Sequence, residues 1–293
     1  MDLALTVLNI TAPVFILGAV GFTWVKLGFD YPIAFITRMA MTLAVPCLIF
    51  VALMQTEVAP EALAALSLAT FSAYGLVMIG AFVLVKVTGL NVQTYLAPLI
   101  FGNTGNLGLP LALFAFGEIG LGYAVVVFAV MAILSFTIGI WMVAGEGSLK
   151  RVGQEPLVAT TLLGALFLWQ GWETPEFLTN ALDLIGQMAI PMMLITLGVA
   201  VARLETKAIA QAVWLSLAKV VICVAAAWAV ANWFGLDPVA AAILILQIAT
   251  PVAVTSYLLA EKYGADAQPV AGLVVTSTLL SVIFLPLILA FVI

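Results

Sequence analysis

Residues 101–110 read Phe101-Gly102-Asn103-Thr104-Gly105-Asn106-Leu107-Gly108-Leu109-Pro110, in the middle of a stretch that is otherwise apolar and helical in character. Glycine lowers helix propensity by about 1 kcal/mol and proline by about 3 kcal/mol. Gly102, Gly105, Gly108 and Pro110 together predict that the helix opens here. In hydrocarbon the freed peptide groups need partners, so a break is tolerated only against protein or a water-filled cavity. A helix restarting at Pro110 suits the first helical position, where no amide hydrogen is required. Its start presents unpaired amide donors and the positive end of the helix dipole, which makes an anion site without a charged side chain. Asn103, Thr104 and Asn106 add polar groups to it.

A second stretch repeats the device. Thr250 is placed to cap a half-helix that begins at Pro251, with Gln247, Thr255 and Ser256 close by. If the two breaks cross, two half-helix N-termini face one region from opposite sides and can hold a carboxylate yet release it. The rival reading is packing: glycines in membrane helices let neighbouring backbones approach, and this stands beside the functional reading for Gly102, Gly105 and Gly108. Asn103 is harder to assign to packing, because an unpartnered amide in hydrocarbon is costly. The hydroxyls of Thr276, Ser277, Thr278 and Ser281 are expected mostly to bond their own helix backbone.

Composition sets the solvent. Hydrophobic residues make up 65% of the 293 residues and charged residues 8%. A soluble domain carries roughly 45–50% apolar and about 25% charged residues, so most of this surface must face lipid. Cys47 and Cys223 lie in apolar runs and read as small buried hydrophobes, and there is no histidine. The start Met1-Asp2 lacks a basic leader and does not read as a cleaved signal peptide.

Ten spans are predicted, at 3–24, 33–54, 62–85, 92–116, 120–143, 156–172, 180–202, 209–233, 239–260 and 268–292. Lys26, Arg38, Lys86, Lys150, Arg151, Arg203, Lys207 and Lys262 fall in or beside the odd loops. The even loops hold Glu57, Glu61, Glu118, Glu173, Glu176 and Asp237 without Lys or Arg. The positive-inside rule therefore places odd loops in the cytoplasm and both termini outside. Five spans per half is an odd number, so two halves would enter the membrane in opposite senses. Pro46 and Pro110 in spans two and four are matched by Pro191 and Pro251 in spans seven and nine, which supports an inverted repeat.

The stretch 101–110 resembles the fourth helix of the auxin efflux carrier family. The stretch Ile190-Pro191-Met192-Met193-Leu194-Ile195-Thr196-Leu197-Gly198 is similar to its seventh. Ala249-Thr250-Pro251, Ala260 to Gly264, Thr276 to Ser281 and Pro286 are similar to its ninth and tenth. The resemblance covers nearly the whole chain in order. It implies an all-α membrane fold related to the bile acid sodium symporters, with broken helices 4 and 9 crossing at mid-membrane. It implies a scaffold of helices 1, 2, 6 and 7 (residues 1–60 and 156–205) and a mobile core of helices 3–5 and 8–10 (residues 61–145 and 206–293). Bacterial members are often described as malonate or malate permeases, and plant relatives export auxin, also a carboxylate.

The expected function is secondary transport of a small organic anion across the bacterial inner membrane by alternating access. The expected substrate site comprises Asn103, Thr104, Gly105, Asn106, Gly108, Pro110, Gln247, Thr250, Pro251 and Thr255. The expected partners are a small carboxylate and the lipid bilayer, with room for a homodimer; no nucleic acid, metal or cofactor is expected. A sodium-coupled bile-acid-type symporter is the alternative, though no carboxylate accompanies Gln247. A channel or receptor module is the other rival, distinguishable by counterflow. An intramembrane serine protease lacks its histidine, and no pair of buried aspartates suggests an aspartyl one. Lys219 lies well inside span eight and is expected to serve coupling or as a fixed positive charge, unless the span starts near Trp214 and the lysine snorkels to the surface.

Overall fold

A computed structural model describes residues 3–55, 59–144, 156–203 and 209–292. The charges Glu57, Lys150, Arg151 and Lys207 lie outside the described residues. The helices are α1 Leu3–Lys26, α2 Ile33–Met39, α3 Val45–Met54, α4 Pro60–Val87, α5 Val92–Ile100, α6 Leu109–Leu134 and α7 Ile140–Ala144. They continue as α8 Pro156–Gln170, α9 Glu176–Gln187, α10 Ala189–Arg203, α11 Ile209–Phe234, α12 Pro238–Ile248, α13 Val254–Tyr263 and α14 Ala267–Val292. Three π turns, Ala40–Ala44, Thr104–Gly108 and Ser135–Gly139, lead directly into α3, α6 and α7.

Six continuous helical stretches are long and apolar enough to cross a bilayer: Ile33–Met54, Glu61–Val87, Thr104–Ala144, Glu176–Arg203, Ile209–Phe234 and Ala267–Val292. The third of these has 41 residues, about twice what one crossing needs. Gly117, with φ 63° and ψ −153°, divides it, a conformation open in practice only to glycine. The connection expected between spans four and five falls at this residue. The expected seventh span is instead two helices, α9 and α10, joined at Met188.

Helix starts follow local chemistry. The Asn91 side chain accepts from Thr94 N at 3.0 Å and caps α5, and Asp237 accepts from Val239 N and Ala240 N at 3.1 and 3.0 Å and caps α12. The π turns at 40–44 and 104–108 each precede a proline at the second position of the next helix, Pro46 or Pro110. Proline removes an i→i−4 bond and crowds the carbonyl one turn back, and a locally widened turn relieves both.

Packing divides the helices into neighbourhoods. α1 lies along α10, and α3 lies against α8 and α9. α11 is packed among α4, α12 and α14, and α12 lies against α6. Along the first of these contacts Gly21 faces the Ile195 carbonyl and Gly198 faces the Gly18 carbonyl, so closely that a methyl group has no room at either glycine. The outer faces of α4, α11 and α14 are large and apolar: Leu68, Ile79, Val221, Trp228, Ile283 and Leu287 are all exposed. A surface of this kind is stable in hydrocarbon and not in water.

Candidate functional site

The two breaks meet. Between α5 and the π turn that precedes α6, residues 101–103 run extended, as do residues 251–253 between α12 and α13. Gly102 and Val252 form an antiparallel bridge. Asn103 N donates to Pro251 O at 2.7 Å, and Ala253 N donates to Phe101 O at 3.4 Å. Each break thus satisfies peptide groups that its own helix gave up. Gly102 is required for this approach, since a side chain there would run into Thr250.

Both helices resume elsewhere than the sequence suggests. The chain after Asn103 becomes helical at Thr104, not at Pro110: Leu107 N and Gly108 N both donate to Asn103 O, at 3.1 and 3.2 Å. The wide turn lets helical bonding begin six residues ahead of the proline. The second half-helix begins at Val254, not at Pro251, which stays in the extended crossing. Thr250 caps nothing that follows; its Oγ1 donates back to Gln247 O at 2.6 Å and closes the end of α12.

Lys219 is buried, 2% exposed, and does not reach the surface. Its Nζ donates to Thr250 O at 3.1 Å and lies 3.6 Å from Cys223 Sγ. The Lys219 amine therefore sits against the backbone of the second break. Ser277 braces the same break by accepting from Val252 N at 3.0 Å, besides donating to Val274 O at 3.3 Å. Ser281 bonds its own helix at Thr278 O, 2.6 Å away, as expected of span-ten hydroxyls.

The first break is surrounded by polar atoms of another kind. Asn103 Nδ2, Thr104 Oγ1 and both polar atoms of the Gln247 carboxamide are buried without a hydrogen-bond partner among the described residues. The Gln247 side chain lies against Gly108, so a glycine-to-alanine change would strike its carboxamide. These atoms therefore collect around the turn 103–108. A buried polar atom left unpaired costs about 1–3 kcal/mol, and a native protein keeps several together only where something else completes them.

A cavity of about 260 Å³ opens beside this turn. Asn106 lines it, and so do Val254 and Thr255, the first two residues of α13, a helix without a side-chain cap. The lining also includes Thr37 of α2, Ala40 of the π turn that follows it, and Thr196, Ala200 and Arg203 of α10. Arg203 Nη2 donates to Tyr31 O at 2.8 Å, and Tyr31 shares a 2.7 Å hydrogen bond with Thr196 Oγ1. The loop before α2 is thereby tied to α10 at two points. Burial pushes the Tyr31 hydroxyl above its usual pKa, against a smaller lowering by Thr196, so it stays protonated at physiological pH.

The structure distributes the expected residues between two places. Asn106 and Thr255 line the cavity. Asn103, Thr104, Gln247, Thr250, Pro251 and Lys219 lie buried at the crossing behind it. Gly105 is packed on the Phe128 ring and Gly108 on Gln247, and Pro110 is buried. The α10 wall and Thr37 were not anticipated. Arg203 was legible only as a loop charge, and Thr196 only as part of a motif. Among the described residues no three Cys, Asp or Glu side chains stand close enough to hold a metal ion.

Residues 6–156 and 145–289 match the family model described as membrane transport protein. The chain is 25% identical over 199 residues to an uncharacterized transporter of Methanocaldococcus jannaschii, covering 64% of each chain. It is 26% identical over 196 residues to a Rhizobium meliloti protein whose name is "Putative malonate transporter", covering 62% of this chain and 61% of the relative. The chain thus spans somewhat under two thirds of the length of these relatives.

Proposed function

Since the chain belongs to the membrane transport protein family, that of the auxin efflux carriers, we propose that it is a secondary transporter of a small carboxylate. The observation that carries this reading is the set of unpartnered polar atoms around residues 103–108, placed beside a cavity that Asn106 and the start of α13 share. Donors with no protein acceptor, next to a helix N-terminus, suit an anion in transit. The substrate rests on Asn106 and Thr255 and draws on Asn103, Thr104 and Gln247 as it moves toward the crossing; Thr250 and Pro251 shape the backbone there. Lys219 supplies the fixed positive charge that steadies the second break and raises the potential felt by the anion.

In this reading the chain crosses the bacterial inner membrane ten times, as two inverted five-helix repeats with both termini outside. The scaffold comprises residues 1–60 and 156–205 and the core residues 61–145 and 206–293. Two observations support that division. The closest helix pairs lie within one set, α1 with α10 and α3 with α8, or within the other, α11 with α4 and α12 with α6. The cavity lies between α2 and α10 of one set and α13 and the turn at 104–108 of the other. Rocking of the core against the scaffold would move that cavity from one side of the membrane to the other.

Malonate is the substrate to test first, because the Rhizobium meliloti relative carries that name. Proteoliposomes preloaded with unlabelled malonate should accumulate labelled malonate by counterflow, which a channel or receptor does not do. Absence of counterflow for malonate and for every member of a carboxylate library would overturn the reading. The topology is tested separately: an engineered cysteine at Lys86, in a background without Cys47 and Cys223, should resist impermeant maleimide in intact cells.

A further inference from the structure

The transport reading above leaves one charged side chain without an assignment. Among the described residues that line the cavity, Arg203 is the one that carries charge. It is the last residue of α10, and it is exposed. Met193, Thr196, Ala200 and Arg203 recur on one face of α10, so the cavity wall follows this helix for about 15 Å at 1.5 Å per residue. Arg203 thus marks one end of the wall, and Asn106 of the turn 104–108 lines the same cavity. Side chains lean toward the N-terminus of their helix, which here means back into the cavity.

The guanidinium is held, among the described residues, by a carbonyl and not by a carboxylate. One N–H is given to Tyr31 O at 2.8 Å, and no carboxylate pairs with Arg203 among the described residues. A guanidinium has five donors in a planar fork, so the remaining ones point a fixed positive charge at the cavity mouth. The hydroxyls of Thr37 and Thr196 and the amide of Asn106 line the same cavity. The cavity thus joins a charge at one end of the α10 wall to neutral hydroxyl and amide groups elsewhere in its lining.

We infer that Arg203 is the residue that captures the anionic substrate from solution and sets its apparent affinity, without taking part in the translocation step. The inference rests on the transport reading and deepens it. A capture residue at a solvated mouth acts through long-range attraction, so its contribution falls as salt screens it within about 8–10 Å at physiological ionic strength. Its loss raises KM and leaves the maximal rate alone. The competing role is a structural one, in which Arg203 only ties the Tyr31 carbonyl to α10.

The test is malonate counterflow by the full chain in proteoliposomes, at about 20 and 300 mM salt, for the wild type and three variants. Arg203→Gln removes the charge and retains a donor for Tyr31 O. It should raise the malonate KM roughly five- to tenfold at low salt, keep kcat within about twofold and lose most of the salt dependence. Arg203→Lys should stay within about threefold of wild type in KM and keep its salt dependence. Tyr31→Phe, which breaks the side-chain tie to Thr196 with the charge in place, should leave both near wild type. For monomethyl malonate, with one charge instead of two, the Arg203→Gln effect on KM should be smaller. A lowered kcat at unchanged KM, equal effects of Arg203→Gln and Tyr31→Phe, or a wild-type salt slope in Arg203→Gln would each overturn the capture role alone. Absence of malonate exchange in all four proteins would overturn the carboxylate reading and this inference with it.

Discussion

In the break at residues 249–253, Thr250 Oγ1 closes α12 onto Gln247 O, Lys219 holds Thr250 O, and Ser277 holds Val252 N. In the break at residues 101–103, Asn103 gives its backbone N–H to Pro251, but its side-chain Nδ2, the neighbouring Thr104 Oγ1 and the facing Gln247 carboxamide have no hydrogen-bond partner among the described residues. Both are interruptions with a proline close by, in helices that would otherwise be continuous. One is braced by side chains from α11 and α14, and the other keeps its donors for something else. The contrast indicates that an interrupted helix does not become a binding site by being interrupted. The side chains around it must also be left without internal partners, and among the described residues those of Asn103, Thr104 and Gln247 are left so around the turn 103–108.

Five substitutions at four positions test that contrast, and the largest effect belongs to the braced side. Lys219→Ala leaves the buried Thr250 carbonyl without its Lys219 donor, at a cost of about 1–3 kcal/mol, and is expected to abolish counterflow and lower the melting temperature together. Lys219→Arg should keep part of the transport. Near-wild-type counterflow and melting in the alanine variant would show that the second break needs no brace. On the open side, Asn103→Ala should weaken substrate binding by about 1–3 kcal/mol in a titration, with the fold retained. Unchanged affinity in folded protein would remove Asn103 from the substrate path. If the variant instead melts far lower than wild type, the two breaks are braced alike.

The remaining two are smaller. Ser277→Ala leaves Val252 N unpaired and should cost about 1 kcal/mol of stability, read by thermal unfolding, with little change in KM for the protein that stays folded. Thr255→Ala removes a hydroxyl from the cavity wall and should raise KM by about twofold, with stability unchanged. A Ser277→Ala variant that altered KM more than Thr255→Ala does would merge the two regions that the comparison separates.

The positions of both breaks were readable from Gly102, Gly105, Gly108, Pro110 and Pro251, because helix propensity is a local property. Their crossing was left conditional by the residues and was implied by the resemblance to the auxin efflux carriers; the need to satisfy freed peptide groups in hydrocarbon accounts for the pairing once the breaks meet. The points of restart were not readable. Proline at a helix start is only a preference, and the bonding of a π turn from Thr104 to Gly108 leaves no pattern in composition. Thr250 was read as a cap because threonine commonly caps, yet its hydroxyl turned back to Gln247. Depth in the membrane could not separate a buried Lys219 from a snorkelling one; the position of the Thr250 carbonyl, 31 residues away, decides it. Arg203 was read as a cytoplasmic charge because loop counting asks where a residue lies along the chain, not what it faces. The cavity wall arises between α2 and α10, separated in sequence by seven helices, α3 to α9, and only their packing brings Thr37 to Thr196 and Arg203.

The π turn at 104–108 has a consequence for how the site can be edited. A turn of this type holds one residue more than an α-helical turn, and each residue rotates the chain by about 100°. The face that Asn106 offers to the cavity is therefore a matter of phase as well as identity. Deleting one residue from this turn, even Gly105 or Leu107, would restore regular helical bonding and swing the upstream side chains by a quarter turn or more against α6. The same asparagine would remain in the sequence and point elsewhere. Residue count across this segment is thus as much a part of the site as the amides themselves, and a length change here would be felt before any change of side chain.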